Sequence, residues 1–339
     1  MKGALIYCIE FKRSANVSDA ENTPTIVKDA AGNVQPLNED YTGFRILAVH
    51  AHPDDESSKG AAMMAAYAAR GARVLVASMT GGERGDILSE AGRENPAAYR
   101  FLPSVRRQEM ANAREILGIE HRWIGFMDSG LPEGDPLSPL PFGCFASLPL
   151  EQASAPLVRL VRKFKPHVIL SYDEIGGYPH PDHIMSHKVA VEAYEKAGDA
   201  NAYVGEGEPW QPLKLYYDRA FNPERLNAMH EYLMANGLES PFAEWIARRM
   251  EDDVDGHQPP VSRHSTTTRI LSKDYFELRD KALLAHATQV GPEDLFFALT
   301  PVQSQEVWPT DDYVLIDSKV ETSLPEHDFA SGIDFSSQQ

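Results

Sequence analysis

Short apolar runs alternate with longer amphipathic stretches from residue 45 to about residue 217. Residues 45–49 (Arg-Ile-Leu-Ala-Val) and 73–78 (Arg-Val-Leu-Val-Ala-Ser) are continuous apolar segments of strand length, the pattern of strands covered on both faces. Strands are also predicted over 121–126, 167–172 and 213–217. Between them, 61–70 is alanine-rich and closed by Gly71, and 104–117 carries Val105, Met110, Ala113, Ile116 and Leu117 before Gly118. Further helices are predicted over 154–164 and 184–196. The alternation predicts an α/β fold with a mostly parallel sheet and helices on both faces. Beyond residue 220 the pattern becomes mainly helical, over 224–236, 241–249 and 273–287, with an acidic, Pro-rich loop at 251–260. Residues 1–43 are polar and unperiodic, and residues after 320 read as a frayed tail. The expected organisation is an extension (1–43), a Rossmann-like catalytic core (44–220), a mainly helical part packed on it (221–320) and a tail (321–339).

Charge narrows the classes of partner. The 339 residues hold 32 Lys and Arg against 50 Asp and Glu, a formal charge of −18. Nucleic acid and anionic membrane both demand clustered basic residues, so neither is expected as a partner. No apolar run approaches the ~20 residues of a spanning helix, and Met1–Ile9 is too short for a signal peptide. Cys8 and Cys144 are too few for a disulfide framework, and two reduced thiols point to the cytoplasm. No segment marks a protein partner; the expected partner is a small molecule.

Two clusters carry the chemistry. Residues 51–56 (Ala-His-Pro-Asp-Asp-Glu) follow the first strand, and residues 178–183 (Tyr-Pro-His-Pro-Asp-His) follow the strand that ends at Tyr172. Both fall at the carboxyl edge of the sheet, where α/β folds place ligands. Imidazole and carboxylate are zinc donors, and a catalytic zinc takes three of them. His52 and Asp55 from one loop and His183 from the other meet that count, leaving Asp54 free as a base. His180 is suited to stabilise an oxyanion or protonate an amine if Asp182 holds it charged, and Tyr178 could add a hydroxyl. His187, one turn beyond His183, could be a fourth ligand but reads better as a solvent-facing or supporting histidine. Residues 80–86 (Thr-Gly-Gly-Glu-Arg-Gly-Asp) either let a ligand approach the backbone closely or form a structural turn. Two histidines and a carboxylate also fit a ferrous oxygenase, but Asp54 would then have no task. A sugar-binding protein without activity would have no use for a base beside a metal.

Together these motifs resemble the zinc-dependent glucosaminyl-phosphatidylinositol de-N-acetylase (LmbE-like) family. Along residues 44–318 the segments VHAHPDDESSKGAA, TGGERGDIL, MDSGLPEGD, YDEIGGYPHPDHI, GEPW, KLYY and HATQV are similar to its mycothiol-conjugate amidases. The resemblance implies zinc (with ferrous iron as the alternative) on His52, Asp55 and His183, Asp54 as general base, and His180 backed by Asp182 with Tyr178 close by. It implies substrate contacts from Asp86, from Arg106 or Arg107, and from Asp128. Lys59 is implied to distinguish amidases from the related deacetylases. The implied reaction is hydrolysis of the amide joining N-acetylcysteine to glucosaminyl-inositol in mycothiol S-conjugates, yielding a mercapturate. Deacetylation of N-acetylglucosaminyl-inositol is the competing activity.

Overall fold

The computed structural model describes residues 34–250 and 262–336. Residues 1–33, with Cys8, and the acidic loop expected at 251–260 lie outside the described residues. Seven strands form one sheet: β1 (Arg45–His50), β2 (Arg73–Thr80), β3 (Glu120–Phe126), β4 (Val168–Ser171), β5 (Lys214–Asp218), β6 (Thr268–Leu271) and β7 (Thr310–Ser318). Their order is β3-β2-β1-β4-β5-β7-β6. The first five are parallel, with Leu47 opposite Leu75 on one side of β1 and opposite Ile169 on the other. β7 runs antiparallel to β5, and β6 antiparallel to β7.

Side-chain alternation divides the core between the two faces. On one face Ile46, Ala48, Val74 and Val76 meet α2 (Ala61–Ala68) and α4 (Pro96–Leu117), with Met63, Tyr67, Met110 and Leu117 in the packed cluster, while the short helices α1 (Asp55–Ser58) and α3 (Glu90–Glu94) precede them in the chain. On the other, Leu47, Val49, Leu75 and Ala77 are covered by α5 (Leu150–Phe164) and α6 (Pro181–Lys196). α2 is buried nearly all round, which is why its sequence is alanine and methionine without a polar stripe. α4 begins eight residues before the predicted start: Asn95 caps it and Pro96 occupies its first turn, and a break at Phe101 precedes Pro103.

The part beyond residue 220 is mainly helical and also completes the sheet. α7 (Pro223–Ala235), α8 (Ala243–Met250), α9 (Phe276–Ala285) and α10 (Pro301–Val307) accompany two strands of the same sheet. One expectation is corrected: the chain ends, where described, carry single core residues. Tyr41 and Phe329 are wholly buried, and Asp328 accepts hydrogen bonds from Tyr41 and Tyr67, tying 34–43 to the supposed tail. Aromatic rings spaced through a polar stretch packed there although no periodicity announced them.

The strand order places the site. β1 leads outward to β2 and β3 on one side, and β4 begins the other, so the loops after β1 and β4 diverge and leave a crevice between them. Both motifs open onto that crevice.

Candidate metal centre

His52 and Asp55 come from the loop after β1 and His183 from the first turn of α6, and all three are buried. His183 Nε2 is 3.3 Å from His52 Nδ1 and 3.5 Å from Asp55 Oδ2, and His52 Nδ1 is 3.7 Å from that oxygen. Zinc bonds of about 2.0–2.2 Å at tetrahedral angles put ligand atoms roughly 3.3–3.6 Å apart. The three atoms therefore have the spacing of ligands on one ion.

The remaining hydrogen bonds orient the rings. His183 Nδ1 donates to the Gly176 carbonyl at 2.9 Å, leaving Nε2 with a lone pair. Gly176 has a φ of +75°, and a Cβ there would lie 2.6 Å from that of His183, so only glycine lets this carbonyl come so close. His52 turns Nε2 toward Asp182 (3.4 Å) and Asp128 (3.7 Å), which leaves Nδ1 facing His183. Two ring nitrogens turned toward each other can share either a proton or a metal ion between them. Burial opposes charge on His52, but Asp128, Asp182 and Asp55 outweigh it and raise the ring to about 10. Burial holds His183 well below the usual histidine range. This is a histidine–carboxylate arrangement of the kind that supports bound metals.

Asp55 is fully engaged. Oδ2 accepts from the His52 amide (2.9 Å) and from the Tyr172 hydroxyl (2.7 Å), and Oδ1 accepts from Lys59 Nζ at 2.5 Å. Burial alone would raise its carboxyl; Lys59, His183 and His52 hold it well below the usual carboxylate range.

Asp54 is the one strained residue of the loop, with φ +122° and ψ −27°. A non-glycine residue held there costs of order 1–3 kcal/mol, a strain that clusters at working sites. Its carboxylate is three-quarters covered and meets Arg106 Nη2 at 3.0 Å. Burial, and behind it the charge of Asp55, raise its pKa against the pull of Arg106.

The structure brings some predicted residues together and reassigns others. Arg106 is buried and binds the carbonyls of Gly82 (2.8 Å) and Pro53 (2.6 Å) besides Asp54, so its guanidinium is absorbed by the loop that carries Asp54. Gly82, at φ +62°, leaves room for it; a Cβ would lie 2.1 Å from Nη1. Arg107 is exposed, with its guanidinium over Trp123. Asp128 backs His52 and accepts from the Arg84 and Gly130 amides rather than facing outward. Lys59 reaches Asp55 of the cluster rather than open solvent. Asp86 is exposed, and its carbonyl accepts from Gln289.

His180 and Asp182 do not form the expected pair. The Asp182 carboxylate accepts from the Ser129 amide (2.9 Å) and hydroxyl, and it faces His52. His180 caps α6, accepting the Asp182 amide on Nδ1 at 3.1 Å, so its proton belongs on Nε2. Burial, with His52 adding to it, brings His180 down to about 4, so it is neutral near pH 7. Tyr178 lays its ring against His183 at 4.6 Å, and His187 binds the Tyr172 carbonyl at 3.0 Å.

Sequence reasoning missed Tyr172, Ser129, and the buried pair of Glu56 with His286, 2.7 Å apart. Glu56 lay inside the first motif and His286 inside HATQV, but nothing local shows that residues 230 positions apart meet.

Fold and site together define an α/β protein with a His/Asp/His metal-binding cluster at the switch point of a mostly parallel sheet. The family described as GlcNAc-PI de-N-acetylase matches residues 47–194. The mycothiol S-conjugate amidase of Streptomyces coelicolor is 51% identical over 292 residues, covering 86% of this chain and 97% of its own. The 1D-myo-inositol 2-acetamido-2-deoxy-alpha-D-glucopyranoside deacetylase of Streptomyces scabiei is 36% identical, covering 88% and 92%. Among solved structures, the N,N'-diacetylchitobiose deacetylase of Pyrococcus horikoshii superposes with a TM-score of 0.51 at 16% identity, over 80% of this chain and 83% of that one. The 4-carboxy-2-hydroxymuconate hydratase of Pseudomonas putida reaches 0.52 at 18% identity, over 83% and 99%. At such identities the likeness is one of fold, which hosts more than one chemistry. The chain belongs to the GlcNAc-PI de-N-acetylase family.

Proposed function

We propose that this chain is an amidase that hydrolyses the bond between N-acetylcysteine and glucosaminyl-inositol in mycothiol S-conjugates, with zinc held by His52, Asp55 and His183. One observation carries the metal reading: three donor atoms from two distant loops lie 3.3–3.7 Å apart, with each ring turned by its own partner. The substrate reading rests on 51% identity to an amidase of that name, against 36% for the deacetylase. Among the described residues no helix is long and apolar enough to cross a membrane.

Zinc, when bound there, supplies Lewis acidity that polarises the amide carbonyl and lowers the pKa of the attacking water. The chain's own residues supply the rest. Asp54, with its raised pKa, accepts the proton from water and returns it to the departing amine, one carboxyl serving as base and then as acid. Arg106 fixes that carboxylate's direction. His180 is neutral with its proton on Nε2, so it donates a hydrogen bond to the developing oxyanion. Asp128 and Asp182 keep the His52 tautomer, and Tyr172 and Lys59 keep Asp55 in place. The cytoplasm, where thiols stay reduced, suits buried Cys144.

The test is product analysis by mass spectrometry after the zinc-loaded protein is incubated with iodoacetamide-alkylated mycothiol and, separately, with N-acetylglucosaminyl-inositol. A mercapturate with glucosaminyl-inositol is expected from the first. Faster release of acetate from the second would replace the amidase reading with the deacetylase one.

A further inference from the structure

Glu56 and His286 are both wholly buried, and neither touches the three metal-facing atoms. One oxygen of Glu56 accepts the Asp54 amide at 2.9 Å; the other accepts from His286 Nε2 at 2.7 Å and from Ser57 Oγ. The amide so captured belongs to the residue whose backbone has a φ of +122°. Strain of that kind persists only where surrounding contacts over-determine it. Arg106 supplies part of the restraint through the Pro53 carbonyl and the Asp54 carboxylate. On the amide side, the restraint comes from Glu56.

His286 in turn is anchored from several directions. It ends α9, and its carbonyl accepts the amides of Gln289 and Val290. Thr288 bonds Glu109 of α4 through both its amide and its hydroxyl, at 2.7 Å each. The Thr288 carbonyl accepts the Leu88 amide, and Gln289 reaches the Asp86 carbonyl. Residues 286–289 thus join α1, α4 and the loop after β2.

We propose that Glu56 and His286 are positioning residues for the reaction, fixing the backbone of Asp54 so that its carboxylate stays directed at the water it deprotonates. The proposal rests on the reading of Asp54 as the base. It assigns a catalytic purpose to a pair that, as a buried charge pair alone, would be weak evidence of stability. It also explains why a residue of the C-terminal half reaches under the first motif.

The test is a double-mutant cycle on the zinc-loaded full chain with the iodoacetamide-alkylated mycothiol conjugate. His286→Ala should lower kcat about 10²-fold, the scale of a misplacement near 1 Å, with KM and zinc content unchanged. His286→Gln, which keeps a side-chain N–H for Glu56, should recover much of that loss, and it serves as the reporter if the alanine variant does not fold. In an Asp54→Ala background, single-turnover rates should change by no more than about twofold when His286→Ala is added, because the two losses share one cause. Independent, multiplying losses would overturn the proposal while leaving the base reading intact. So would an unchanged kcat, or an effect exerted through zinc content or KM. Normal turnover in Asp54→Ala alone would remove the base reading and the proposal with it.

Discussion

Tyr172 shows how a residue outside both motifs enters the centre. Its hydroxyl accepts the Ala51 amide and donates to Asp55, each at 2.7 Å, so it links the end of β4 to the ligand loop of β1. Supporting partners of this kind are worth about 10–100-fold in metal affinity. Tyr172→Phe should therefore weaken zinc binding by that factor in chelator competition, and an unaltered dissociation constant would show the hydroxyl to be dispensable. Lys59 leads to a different expectation from the one its family position suggests. Its ammonium contacts Asp55 and Ser58, so Lys59→Ser should shift conjugate cleavage and deacetylation by the same factor. A selective loss on the conjugate would return Lys59 to the substrate. The His/Asp/His cluster was legible because each motif concentrates donors within a few residues. The partners of those donors were not, since an aspartate backing a histidine and one facing a sugar are the same letter.

Among the elements, β1, β2 and β4 announced themselves through unbroken apolar runs, and β6 and β7 did not. β7 opens Thr310-Asp311-Asp312, yet all three are buried. Asp312 accepts from Asn222, Trp308 and Thr310, and Asp311 accepts the Met63 amide, so tertiary partners satisfy carboxylates that a local pattern reads as surface. β6 has only four residues, too few for any period to show. The C-terminal segment was misread for a related reason: its burial lies in single aromatic residues. Phe329 stacks on Tyr67 at 5.6 Å and meets Tyr216 at 4.6 Å. Phe329→Ala should cost about 3–5 kcal/mol in urea denaturation, as for a large core side chain, and a loss under about 1 kcal/mol would mark the segment as surface.

At the scale of the whole molecule, the acidic balance is carried inward as well as outward. Behind Lys59 lies a polar chamber lined by Asp218, Arg225, Asp311 and Asp312, where one oxygen of Asp218 has no hydrogen-bond partner. Burial raises Asp218 from 3.8 to about 6, against the pull of Lys59. A carboxyl raised on folding adds stability below its unfolded value and loses it as pH climbs through the folded one. Asp218→Asn should accordingly raise the urea midpoint at pH 8, with the gain shrinking between pH 6 and pH 4. A gain that is the same at every pH would place the effect in packing rather than in charge.

Lys214 is wholly buried in β5, 2.5 Å from Glu326, which is itself held by Tyr216. During synthesis the lysine leaves the ribosome long before its counter-charge, and the edge of β5 stays open until β7 follows. A chain cut off before residue 326 would have to bury an unmatched ammonium, a penalty of about 3–5 kcal/mol in comparable interiors. Loss of the last fourteen residues is therefore expected to cost the strand edge at β5 its stability rather than to trim a dispensable end.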